Sequence, residues 1–143
     1  MFAMPLVDGG FVRGVVAHKG PRKPCMLAYY FAPRLESPSL CTFEGIRPTM
    51  FACAIRCGVR ALQDERWPIV GKVPSFNRDE WPVPLIDMGV SHNGQQIVGV
   101  LDKEDLLRFV DERVARKGDW IIDGVLDDSA SPEWSVAKYI TKQ

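Results

Sequence analysis

The period of apolar positions changes several times along the chain, and each change marks an element. Residues 1–6 are almost wholly apolar, break at Asp8-Gly9-Gly10, and resume from Phe11 to His18 with a Val and Phe content that favours strands. Asp-Gly and Gly-Gly supply the positive φ values of a tight turn between twisted strands, so these two runs are expected to pair as an antiparallel hairpin. Beyond the break at Gly20-Pro21-Arg22-Lys23-Pro24, residues 25–31 have no polar face. A strand of that kind is covered on both sides, which predicts a central position in the sheet. Residues 33–48 are interrupted by prolines and keep no period, as a loop does. From 51 to 59 the odd positions are Phe51, Cys53, Ile55, Cys57 and Val59, with Arg56, Gly58 and Arg60 between and after them. That is the alternation of a half-buried strand, with both cysteines turned inward.

The second half is more broken. Trp67-Pro68-Ile69-Val70-Gly71 is short, apolar and proline-bearing, which fits an edge strand or an extended stretch. Trp81-Pro82-Val83-Pro84 has the same grammar, but the residues between the two do not match, so there is no repeat. Residues 83–89 and 95–101 flank Ser91-His92-Asn93-Gly94, and Asn-Gly predicts a hairpin there. Asp102 is expected to cap a helix running to about Arg116 and ended by Gly118. Glu104 and Asp105 would lie in its first turn, Arg116 and Lys117 in its last, and Leu106, Leu107, Val110 and Val114 on one face. Trp120-Ile121-Ile122 and Ile140 point to a tail folded back by strand or helix contacts. The reading is one domain over 1–143, of the α+β class: a mostly antiparallel β-sheet, open or curled toward a barrel, with a C-terminal helix packed on it.

Composition narrows the class without naming a function. A chain of 143 residues with 46% apolar and 25% charged positions buries a full core, so disorder, collagen and coiled coil are excluded. No run approaches the roughly 18 apolar residues of a membrane span, and residues 1–6 lack the basic and apolar regions of a secretory signal; a cytoplasmic protein is expected. The net charge is zero but unevenly placed: residues 1–60 balance to +5 and residues 61–143 to −5. Asp119, Asp123, Asp127, Asp128 and Glu133 fall within 118–137, where there is no Lys or Arg. Such a stretch is either a solvated surface or a field that attracts a basic partner and repels nucleic acid.

Catalytic machinery is hard to find. His18 and His92 are the only histidines, no Ser or Cys sits in a nucleophile elbow, and neither glycine-rich phosphate fingerprint is present. Cys25, Cys41, Cys53 and Cys57 lack the C-x-x-C spacing of metal or redox sites and read as small buried residues. No cofactor, metal or enzymatic activity is expected. Arg13, Lys19, Arg22, Lys23 and Arg34, with Tyr29, Tyr30 and Phe31, offer an alternative: a strand-rich nucleic-acid or ligand binding module on the basic N-terminal half. Against it, residues 25–31 are so apolar that the rings are expected in the core. Trp67 and Trp81 are read as lids on the core in preference to contacts, whereas Trp120, beside the acidic run, suits a protein partner.

Phe2-Ala3-Met4-Pro5-Leu6, Asp8-Gly9-Gly10-Phe11, Gly14-Val15-Val16 and Trp67-Pro68-Ile69-Val70-Gly71 with Pro74 together resemble the immunity protein 26 family of bacterial polymorphic toxin systems. The likeness covers residues 1–18 and 65–75, with Trp67, Pro68 and Gly71 as its second motif; the acidic C-terminal third departs from the family pattern. The resemblance implies a non-enzymatic inhibitor that occludes a cognate toxin domain. A basic nuclease would suit the acidic run, with Asp119, Asp123, Asp127 and Asp128 steering it and Trp120 as an anchor.

Overall fold

The structure, a computed structural model, describes residues 1–20, 25–124 and 131–141. Strands β1 (Phe2–Pro5), β2 (Phe11–Lys19), β3 (Cys25–Leu35) and β4 (Cys53–Gly58) form one antiparallel sheet in the order β1-β2-β3-β4. A short helix, α1 (Arg60–Gln63), follows. A second sheet, ordered β7-β6-β5-β8, contains β5 (Leu85–Val90), β6 (Gln96–Asp102), β7 (Asp105–Val114) and β8 (Ile121–Ile122). β8 runs parallel to β5 and the other pairs are antiparallel. Helix α2 (Ser131–Thr141) closes the described chain. The architecture is α+β, as the patterning predicts, and the two sheets stay open instead of joining into a barrel.

The β1–β2 hairpin forms where expected, with Gly9 and Gly10 at φ of 104° and 75° in the turn. The Asn-Gly hairpin joins β5 to β6, closed by the Ser91 amide donating to the Gln95 carbonyl at 2.8 Å. β3 is the covered strand. Met26, Ala28 and Tyr30 project to one face, where Phe2, Trp67, Val136 and Ile140 meet them; Cys25, Leu27, Tyr29 and Phe31 project to the other, under Trp81, Ile86, Leu101 and Leu106. The first sheet is therefore a middle layer, with α2 and residues 59–67 on one side and the second sheet on the other. Each Trp-Pro pair buries its tryptophan as a lid, Trp67 on the first face and Trp81 on the second.

Two expectations fail for physical reasons. The segment expected to be a helix from Asp102 to Arg116 is instead a tight turn and the strand β7, paired to β6 with Leu101 opposite Phe109 and Val98 opposite Arg113. The acidic residues that suggested a helix cap make Asx turns instead. Asp102 Oδ1 accepts from the Glu104 amide at 2.9 Å, and Asp105 Oδ1 accepts from the Leu107 amide at 3.1 Å. The same side-chain chemistry serves both structures, and the waiting edge of β6 decides between them. The second failure is Arg56, whose position in the alternation implied a solvated face. That face is covered by the second sheet, and Arg56 is 5% exposed. The cysteine reading holds for three of the four: Cys25, Cys53 and Cys57 are buried, and burial pushes the Cys53 thiol up to about 12, whereas Cys41 is half-buried.

His18 is also buried, with Nε2 donating to the Trp81 carbonyl at 3.1 Å and Nδ1 without a hydrogen-bond partner. Burial lowers its pKa from 6.5, so the folded state holds the ring neutral to lower pH than the unfolded chain does. An unfolded chain takes up that proton near pH 6.5, and acid therefore favours unfolding. Stability is expected to fall below about pH 6.5 with a slope of up to about 1.4 kcal/mol per pH unit, and to level once the folded-state pKa is passed. Urea unfolding of the protein and of His18→Gln, compared from about pH 7.5 to 5 where most carboxylates stay ionised, checks this; equal slopes for the two overturn it.

Candidate functional site

A cleft of 510 Å³ opens where the two sheets and α2 come together. Its walls are residues 51–56, leading into and along β4, and residues 120–123, which contain β8; Ser135, Lys138 and Tyr139 of α2 form the third side. Trp120 lies in the wall with its ring 5.1 Å from Phe51 and 6.3 Å from Tyr29. It is half-buried, so it packs on the core edge and presents its remaining surface to the cleft. Arg56 lies at the meeting of this cleft and a shallower hollow lined by Asp87, Phe109 and Gly124. Its Nη1 and Nη2 donate to the carbonyls of Leu106 and Gly124, each at 2.9 Å, and its guanidinium lies 5.7 Å from the centre of the Phe109 ring.

The acidic residues singled out in the sequence separate once they are placed. Asp119 receives both guanidinium nitrogens of Arg113 at 2.9 Å and the Arg116 amide at 2.7 Å. The Arg113 bonds, then that amide, hold its carboxyl at about 2. Its charge is spent closing the 113–119 turn, which makes Asp119 a loop fastener. Asp123 is exposed and lines both the cleft and the hollow, where Asp87 lies with it. Asp127 and Asp128 lie outside the described residues. Glu133 accepts from Trp67 Nε1 at 2.9 Å. Of the acidic run, then, Asp123 is the described aspartate that lines the cleft.

The motif residues serve the scaffold. Trp67 stacks on Phe2 at 5.4 Å and 11°, the Pro68 carbonyl accepts from the Ala3 amide at 2.9 Å, and the Gly71 and Val70 amides donate to the Met1 carbonyl. Residues 68–71 thus cover the outer edge of β1. The basic N-terminal surface is dismantled in a similar way. Arg13 is buried and donates to the carbonyls of Ala32, Thr42 and Glu44; Arg34 pairs with Asp8; Tyr29, Tyr30 and Phe31 are core residues, as expected. Arg22 and Lys23 lie outside the described residues.

Sequence reasoning missed Arg56, Asp87, Lys138 and Tyr139. Arg56 carried a signal, being a cation in an otherwise apolar strand; the others gain meaning only from the tertiary approach of β4, β5 and α2. Among the described residues no helix is long and apolar enough to cross a membrane. Comparisons with protein-family models, with curated proteins and with solved structures gave no match to this chain.

Proposed function

We propose that the protein is a non-enzymatic immunity protein that binds a cognate toxin domain of a polymorphic toxin system and neutralises it by occlusion. The observation that carries this reading is the surface around the cleft. On α2, Tyr139 is 52% exposed and lines the cleft with Trp120 and the exposed carboxylate of Asp123, and Trp134, 61% exposed, lies on the same helix next to the cleft residue Ser135. Large aromatic side chains left in water on a helix next to a concavity are the composition of a binding hot spot, and a carboxylate at the rim favours encounter with a basic partner. The resemblance of residues 1–18 and 65–75 adds the class of partner.

The test is co-purification with the product of the gene immediately upstream, together with growth of cells expressing that product with and without this protein. A stable complex and rescued growth are expected; no complex and no toxicity overturn the reading. Steering makes a finer prediction. Asn in place of Asp123, Asp127 and Asp128 together should slow association by about tenfold at low salt and flatten its salt dependence. Asp119→Asn should instead loosen the 113–119 turn and leave association nearly unchanged, because its charge is already cancelled by Arg113. Stopped-flow association rates across ionic strength separate the two, and equal rates for the triple variant and the parent sink the steering idea.

A further inference from the structure

The sheets present four outer edges, and they are protected unequally. The edge of β1 is covered by residues 68–71. The edge of β7 carries Arg108, Asp111, Glu112 and Arg113, and its pairing with β6 is broken by register shifts. Charges and irregular pairing are the usual means of keeping an edge from templating another strand. β8 is two residues long. Among the described residues β4 has none of these protections: Cys53–Gly58 contains no proline, pairs with β3 in unbroken register, and has one charged residue, the buried Arg56.

The cleft lies against that unprotected edge. All six residues from 51 to 56 line it, and so do all four from 120 to 123. Side chains alternate across a strand, so a wall formed by one face would include every second residue only. An unskipped run means that the strand edges, with their backbone donors and acceptors, form the walls. Arg56 adds a charge. Among the described residues no carboxylate pairs with it, and its Nε is buried with no hydrogen-bond partner. Lys138, exposed on α2, lines the same cleft, so among the described residues its lining carries two cations and one carboxylate, Asp123.

We propose that the cleft receives an extended segment of a protein partner, which adds to the β4 edge as a strand between the two sheets and sets an acidic side chain against Arg56 and Lys138. Strand addition satisfies the backbone walls through main-chain hydrogen bonds, and the cations select the side chain. The inference rests on the reading of this chain as one that binds another protein, and adds how. It is compatible with a partner that is basic overall, since the rim carboxylates act over the Debye length of about 8–10 Å while Arg56 is met only in contact.

The test uses the full chain and three blocked six-residue peptides of alternating Thr and Val, identical but for Glu, Gln or Lys at the third position. The Glu peptide is expected to shift amide resonances of residues 51–56 and 120–123 and to bind about tenfold tighter than the Gln peptide. Lys138→Glu, an exposed helix position with little bearing on the fold, is expected to abolish that preference. Equal affinity for all three peptides, no binding at millimolar concentration, or shifts centred on β7 would overturn the proposal. Hydrogen exchange in a co-purified complex gives a second reading. A toxin complex without slowed exchange at 51–56 discards strand addition and keeps the immunity function; peptide binding with no toxin complex keeps the strand site and discards the immunity function.

Discussion

Trp67→Ala is expected to destabilise the protein by about 3–5 kcal/mol, the range for removing a large buried aromatic side chain. The ring is 2% exposed and stacked on Phe2, and its indole nitrogen donates to Glu133 on α2. Alanine leaves a cavity on the face of the first sheet that α2 covers, and also leaves the Glu133 carboxylate without that donor. Trp67→Phe separates the two losses, because it keeps most of the apolar area and removes the N–H; about 1.5–3 kcal/mol is expected for a hydrogen bond to a charged group. Trp134→Ala, at an exposed position on the same helix, should change stability by no more than about 0.5 kcal/mol. Urea midpoints for the three variants check this, and a Trp67→Ala protein as stable as Trp134→Ala would overturn the scaffold role. Binding should follow the opposite logic. Under the proposed function, Trp134→Ala is expected to weaken binding of the partner in a fully folded protein, whereas Trp67→Ala weakens it only by releasing α2 from the sheet.

The same contrast explains what could be read from the chain. The hairpins at Asp8-Gly9-Gly10 and Asn93-Gly94, the covered strand β3 and the two tryptophan lids follow from local rules, because turn chemistry and a missing polar face leave few alternatives. β7 is not legible in the sequence because what decides it is not local. Leu106, Val110 and Val114 lie at helical spacing, and aspartates cap turns as readily as helices, so the choice falls to the edge that β6 offers. The site was less legible still. Asp119 looked like part of an acidic surface, yet Arg113, six residues earlier, takes its charge. Arg56 looked solvated because the alternation marks a second face without saying what covers it, and here the second sheet does. A charge in a sequence reveals its sign; its partner is revealed only by the fold.

Gly14→Val is expected to cost about 3 kcal/mol or more, the upper end of overpacking effects. Gly14 lies in β2 directly opposite Phe2 of β1, and a Cβ built there would come within 2.3 Å of the Phe2 ring. The ring has no room to withdraw, since Trp67 is stacked on one side of it and Tyr30 meets it edge-on at 5.9 Å. The sign for alanine is the discriminating result. In an unobstructed strand Gly→Ala stabilises by about 0.4–1 kcal/mol, because the unfolded chain loses freedom. At Gly14 the same change should instead destabilise by about 1–3 kcal/mol. If the Phe2 ring is the obstacle, Phe2→Leu should absorb much of the penalty, so that the double variant Phe2→Leu with Gly14→Ala loses less than the sum of the two singles. Strict additivity in that cycle, or a stabilised Gly14→Ala protein, would overturn the account. The outcome bears on the whole first sheet. Phe2, Gly14 and Trp67 come from three separate segments and meet in one stack, which ties the β1 edge to the lid and, through Glu133, to the helix that forms the third side of the cleft.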